Sequence, residues 1–206
     1  MPSPDPYVDV AGSFIEQQVE VILDEDIPLF AAALGDPGWI TPRMHAAGRK
    51  VVGLVGNIRN ANRQVSAGVD IIVAQGYEAG GHTGKIANFP LIPQVVDAVK
   101  PMPVLAAGAI ADGRTIAAAL SLGAVGVWVG TAFLLAEESG LPHAFQEQIL
   151  KGSSDDFIVT RAYTGKTARD YKNEIIDRWE NSGLTAMPMP LQGVLMQDFT
   201  TAAKAA

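Results

Sequence analysis

The feature that most constrains this chain is a repeated alternation. Five short, nearly continuous apolar runs stand at Pro28–Leu34, Val51–Val55, Asp70–Ala74, Val104–Ala107 and Val125–Val129. Strands buried on both faces read this way, and parallel sheets bury both faces. Between the runs lie segments of helical period. Ile58, Ala61 and Val65 share a face; so do Ile92, Val95, Val96 and Val99, and so do Ile116, Ala119 and Leu120. Before the first run, Ile15, Val19, Ile22 and Leu23 show the same spacing. Thr41-Pro42 reads as a helix start with a hydroxyl cap, and Gly48, Gly68 and Gly123 stand where helices would stop. Strands alternating with helices predict a parallel α/β sheet.

The C-terminal part reads differently. A helix is expected around His143–Leu150, then a polar loop at Gly152–Asp156. Tyr171, Ile175 and Trp179 are spaced by four, which predicts a helix from about Thr167 to Asn181. The Pro-rich segment at residues 187–192, MPMPLQ, predicts an extended tail.

Composition excludes several classes of function. The chain has 206 residues, a net charge of −7 and no cysteine. Its basic residues are scattered, so the clustered cation surface that nucleic acid requires is missing. Neither a disulfide framework nor a thiolate metal site is available. The start, MPSPDPYVDV, lacks a charged n-region and an apolar h-region, and no apolar run approaches the ~18 residues of a membrane span. A cytoplasmic protein without a membrane partner is expected.

One spacing breaks the rhythm. The gap between Ala74 and Val104 is longer than the others and opens with Gln75–Gly84, QGYEAGGHTG, directly after a strand. Four glycines in nine residues let the backbone approach a ligand closely. His82 among them is an acid/base or hydrogen-bonding group near neutral pH. The segment is not a phosphate-binding P-loop, because Ala79 stands where the first Gly belongs and Ile86 follows Lys85. Two further strand ends lead into glycine: Gly108-Ala109, shortly before a helix start at Asp112-Gly113, and Val129-Gly130-Thr131. Backbone N–H groups at a helix start bind anions. Together these two turns match the phosphate site formed after the last two strands of a (β/α) barrel.

Other candidates are weaker. His45 and His143 stand alone. His143 and Glu147 are one helical turn apart but lack a third ligand, so no metal site is expected. The Glu137-Glu138 and Asp155-Asp156 pairs read as solvated. Gly165–Arg169, GKTAR, suits a phosphate contact and equally a solvated helix start.

From about Gly12 to the C-terminus these motifs resemble the nitronate monooxygenases, formerly called 2-nitropropane dioxygenases. The stretches AQGYEAGGHTG, LAAGAIADGRTIAAALSLGA, VWVGTAF and TRAYTGKTAR, and the MPMPLQ tail, carry the likeness. The resemblance implies a TIM-type (β/α)8 barrel that uses FMN and O₂ to oxidise alkyl nitronates or nitroalkanes to a carbonyl compound and nitrite. On that basis His82 is the catalytic residue. Gln75, Gly80 and Gly81 contact the flavin. Gly108, Ala109, Val129, Gly130 and Thr131 hold its phosphate. Residues 1–160 would be a partial FMN-binding barrel, and 161–206 a helix and extended tail packed on it.

The sequence departs from the family in two ways. The second motif reads Gly108-Ala109-Ile110 where the family usually has Gly-Gly-Ile. If residue 109 needs φ > 0, Ala there costs on the order of 1 kcal/mol. A whole barrel takes ~250 residues and eight strands, whereas five runs are present, corresponding to strands 4–8. The fold is therefore expected to be incomplete in this chain, with an open edge that favours homo-oligomers or aggregation. Two other functions share these features: a flavin-dependent enoyl-acyl-carrier-protein reductase, and a non-catalytic fragment with a residual FMN or phosphate site.

Overall fold

The computed structural model describes residues 6–33 and 35–205. The first five residues of the MPSPDPYVDV stretch, the last residue of the first apolar run, Leu34, and Ala206 lie outside them.

All five apolar runs form strands: β1 (Leu29–Ala32), β2 (Lys50–Val55), β3 (Ile71–Gln75), β5 (Val104–Ala107) and β6 (Gly126–Trp128). A two-residue strand, β4 (Gly81–His82), lies inside the glycine-rich loop. Helices α1 (Pro6–Asp24), α2 (Thr41–Ala46), α3 (Ile58–Ser66), α4 (Asn88–Val99) and α5 (Gly113–Ser121) alternate with the five strands. The strands pair in parallel in the order β1-β2-β3-β5-β6. That is the order of the chain. A doubly wound sheet reverses at a switch point, whereas a barrel adds each strand beside its predecessor. The chain thus carries consecutive (β/α) units of the TIM-type barrel. Among the described residues the sheet stays open, with β1 paired only to β2 and β6 only to β5.

Period-two alternation sorts the side chains. Val51, Val55, Ile72, Ala74, Val104 and Ala106 face the helices and meet Met44, Ala61, Leu91, Ile92 and Val95 in the main core. Val52, Leu54, Ile71, Val73, Leu105, Ala107 and Trp128 make a second cluster on the opposite face. Of the α4 face read from sequence, Ile92, Val95 and Val99 are buried and Val96 partly so, while Ile116 and Leu120 of α5, and Ile15 of α1, are substantially exposed. Gly48, Gly68 and Gly123 take positive φ at helix ends. Thr41 is not the cap of α2. It is the first helical residue, and its hydroxyl donates to the Pro37 carbonyl at 2.9 Å. The guanidinium of Arg49 donates to the carbonyls of Ile22 and Leu23 and so closes the end of α1.

Asp70 ties β3 to β2. Its carboxylate accepts from Lys50 (2.7 Å), the Val51 N–H (2.8 Å) and His45 (2.9 Å). Burial pushes this carboxyl up, but the hydrogen bonds outweigh it and hold its pKa at about 2.

The C-terminal part departs from the sequence reading. Helix α6 (His143–Lys151) forms as expected, but residues from Thr167 onward do not form one long helix. Strands β7 (Phe157–Thr160) and β8 (Ala168–Tyr171) pair antiparallel, and β8 also pairs with β4. The helix α7 begins only at Glu174, where Asn173 accepts the N–H groups of Ile175 and Ile176 at 3.1 Å each, and runs to Asn181. Tyr171 packs edge-on against Phe157 within the sheet, with centroids 5.5 Å apart, so its spacing from Ile175 was not helical. The tail is only partly extended: α8 (Leu191–Leu195) and α9 (Gln197–Ala205) follow its prolines. Fully buried Gln192 pins it, donating to the Ala162 carbonyl (2.6 Å) and accepting from the Met187 N–H (3.0 Å). Among the described residues no helix is long and apolar enough to cross a membrane.

Candidate functional site

The C-terminal strand ends meet at a cleft of about 440 Å³. Its floor is a row of ladder partners, Gln75, Ala107 and Trp128, with Leu54 of β2 beside them. Its rim combines Glu78–Gly80, Gly108–Ala111 and Val129–Ala132. Seven of the nine residues singled out from sequence thus line one cleft: Gln75, Gly80, Gly108, Ala109, Val129, Gly130 and Thr131. Phe157, Leu135 and Ile149 add apolar wall. Mostly apolar lining with a few converging polar groups is the usual make-up of a small-molecule site.

Glycine is required where the loops touch. A Cβ on Gly80 would lie 2.5 Å from Thr131 Oγ1, and one on Gly108 would lie 2.9 Å from the Ala79 nitrogen. Gly108 has φ 101° and Ala109 has φ 55°. The position where the family usually has a second Gly is therefore left-handed, and the strain expected of Ala is present.

The anion site expected at the start of α5 is largely taken by the helix's own cap. Asp112 caps that helix, its carboxylate accepting from the N–H groups of Arg114 (2.9 Å) and Thr115 (3.4 Å) and pairing with the Arg114 guanidinium. Thr115 Oγ1 takes the N–H groups of Ala111 and Asp112. The N–H groups of Ala109, Ile110, Gly130 and Thr131 have no partner among the described residues. Of the first donors of α5 only the Gly113 N–H is left without a partner among the described residues, so most of the free donors sit in the strand-end turns.

His82 lies in the adjoining cleft, of about 700 Å³, with Thr83–Ile86, Gly56 and Lys166. Gln75 and Leu54 belong to both clefts and form their border. Gly56 and Gly84 approach so closely that a Cβ on either would lie 3.2 Å from the other's Cα. Gln75 Nε2 donates to the His82 carbonyl at 2.9 Å, and Thr83 Oγ1 to the Gly76 carbonyl at 2.8 Å, which fixes the loop. His82 Nε2 is 2.9 Å from Thr164 Oγ1. Asp170 lies on the same face of the small sheet, diagonal to His82 across β4 and β8. Burial raises its carboxyl, and His82 works against that. Gly81 lines neither cleft; it sits at φ 67° opposite Arg169.

Sequence reasoning missed Asn88, Thr164 and Trp128, and left Arg169 undecided. Asn88 donates through Nδ2 to the Gly108 carbonyl (2.5 Å), and its backbone N–H donates to Glu78 (2.9 Å), so one residue clamps two rim loops. No motif marks it. Trp128 ends β6, and its inward direction follows from the alternation.

A family profile described as nitronate monooxygenase matches residues 7–206. The chain belongs to the nitronate monooxygenase family. A Mycobacterium tuberculosis protein, Rv1533, that carries a monooxygenase name is 46% identical over 182 residues, covering 87% of this chain and 48% of that protein. A Staphylococcus aureus (strain Newman) protein that carries a nitronate monooxygenase name is 34% identical over 196 residues, covering 90% of this chain and 55% of its own length. The chain therefore spans about half the length of these curated relatives. Among solved structures, a nitroalkane oxidase from Streptomyces ansochromogenes superposes with TM-score 0.82 at 30% identity, over 93% of this chain and 58% of that one. FabK from Thermotoga maritima gives TM-score 0.77 at 34% identity, over 86% and 56%.

Proposed function

We propose that the strand-end cleft binds FMN, and that the protein oxidises alkyl nitronates with O₂ to a carbonyl compound and nitrite. The observation that carries this reading is the convergence of Gly80, Gly108, Ala109, Gly130 and Thr131 on one cleft whose border residue, Gln75, also lines the cleft of His82. The cleft suits the cofactor: partnerless N–H groups of two turns fit a phosphate, and the apolar wall of Leu54, Trp128 and Phe157 fits a ring system. When bound there, FMN would supply the two-electron chemistry that links nitronate oxidation to O₂.

The chain's own residues hold and orient. Gly80 lets the rim loop close on Thr131. Gln75 stands between cofactor and substrate while its amide braces the His82 carbonyl. His82 is the substrate-side group. Its imidazole donates to a nitronate oxygen, or takes the α-proton of a neutral nitroalkane. Thr164 Oγ1 sets the ring's orientation through Nε2.

The test is nitrite release from a preformed alkyl nitronate by the FMN-loaded protein under air, with NADH oxidation against a crotonyl thioester run in parallel. Nitrite without NADH oxidation supports the reading. NADH consumption without nitrite favours the enoyl reductase, and neither, with no flavin bound, favours the non-catalytic fragment.

A further inference from the structure

Arg169 is the one basic side chain lining the cofactor cleft among the described residues, and it forms no ion pair with any of them. The sequence left its segment between a phosphate contact and a solvated helix start. The second option is gone: Arg169 lies within β8, opposite Gly81 on one side and Val159 on the other. Its guanidinium lies over the Tyr77 ring, 5.0 Å from the centroid, and Nη2 donates to the Tyr77 carbonyl at 3.0 Å. Nε is buried without a partner, and Nη1 donates to nothing among the described residues. Glu78, the cleft's one carboxylate among the described residues, accepts the Asn88 N–H instead of pairing with Arg169.

A guanidinium cannot escape by deprotonating. Short of acceptors in a largely apolar cleft, it is costly until an anion arrives. The other free groups of the rim, the N–H groups of Ala109, Ile110, Gly130 and Thr131, are donors too. Donors on several sides, a positive charge and few acceptors define a site for a compact anion with several oxygens. The backbone route is short: Arg169 pairs with Gly81, and the next residue, Gly80, abuts Thr131.

We propose that Arg169 is the phosphate-binding cation of this cleft, meeting from β8 the phosphate monoester that the Ala109–Ile110 and Gly130–Thr131 N–H groups meet from the strand ends. The assignment rests on the FMN reading above and adds to it the residue that selects a phosphorylated flavin over an unphosphorylated one.

The experiment is titration of the full chain and its Arg169→Met and Arg169→Lys variants with FMN and with riboflavin, which lacks the phosphate. Flavin fluorescence and calorimetry give the affinities, and circular dichroism checks the fold. Loss of a charge-assisted contact predicts FMN binding about 10- to 100-fold weaker in Arg169→Met, with a smaller loss in Arg169→Lys. Riboflavin affinity should change less than about 2-fold in either, and the salt dependence of FMN binding should flatten. If Arg169→Met does not fold, Arg169→Lys decides by the same comparison. Unchanged FMN affinity, or equal losses for FMN and riboflavin, overturns the assignment while leaving the flavin reading intact. A wild-type chain that binds neither flavin overturns that reading, and the assignment with it.

Discussion

Ala109→Gly should make this protein more stable. Ala109 has φ 55°, directly after Gly108 at φ 101°. A Cβ in the left-handed region costs about 1–2 kcal/mol, which glycine does not incur. Glycine in turn makes the unfolded chain more flexible, which takes back about 0.4–1 kcal/mol. The net expectation is a gain of about 0.5–1 kcal/mol. For a chain of this size that raises Tm by about 2 °C. Urea denaturation followed by tryptophan fluorescence measures it, with an unchanged slope indicating that the unfolded state is equally exposed. Ala109→Val should move the other way by about 1–2 kcal/mol, because β-branching tolerates positive φ worst. If Ala109→Gly instead lowers stability by more than about 0.5 kcal/mol, the strain argument is wrong and the Ala109 methyl makes a contact worth more than the strain.

Three further outcomes follow from the site and the fold. His82→Ala should leave FMN affinity within about 2-fold while lowering nitrite release from a neutral nitroalkane by about 10²-fold or more, and less from a preformed nitronate; loss of flavin binding in this variant would contradict the separation of the clefts. Gly130→Val should abolish FMN retention without loss of fold, since a Cβ there meets nothing within 4 Å and the added side chain enters an open cleft; normal FMN content would remove Gly130 from the site. Asp70 is depressed from 3.8 to about 2 in the folded protein, so its contribution is complete above about pH 4 and is lost as pH falls from about 4 to about 2. The full shift corresponds to about 2.4 kcal/mol at 1.36 kcal/mol per unit. With Lys50 and His45 largely exposed, about 1–2 kcal/mol is expected for Asp70→Asn. Urea midpoints measured against pH should converge for wild type and variant at the acid end, and parallel curves would refute the assignment.

The barrel-type sheet was legible because its strands are buried on both faces and so spell continuous apolar runs, as in Val51–Val55. The glycine-rich loop was legible for a related reason: Gly80 and Gly108 stand where Thr131 and Ala79 leave no space for a side chain. The small antiparallel sheet was not legible. Strand β4 has two residues and is held by a partner far along the chain, so it has no local pattern. Strand β8 imitated a helix because Tyr171 happens to precede Ile175 by four, although Asn173 carried a capping signal that was available. The α5 start misled in the opposite direction. Asp112-Gly113 was read as opening an anion site, but the acidic cap takes the Arg114 and Thr115 N–H groups and repels a phosphate. Arg169 stayed ambiguous because only pairing with Gly81 brings it to the cleft.

The most direct test of the account is a map of amide shifts on adding FMN to the ¹⁵N-labelled chain. The account predicts the largest changes at Gly80, Ala109, Ile110, Gly130 and Thr131, and, at the start of α5, little change at Arg114 and Thr115, whose N–H groups Asp112 already accepts. Shifts centred on that helix start, or on the outer cleft at Gly84 and Lys85, or no shifts at all, would contradict it.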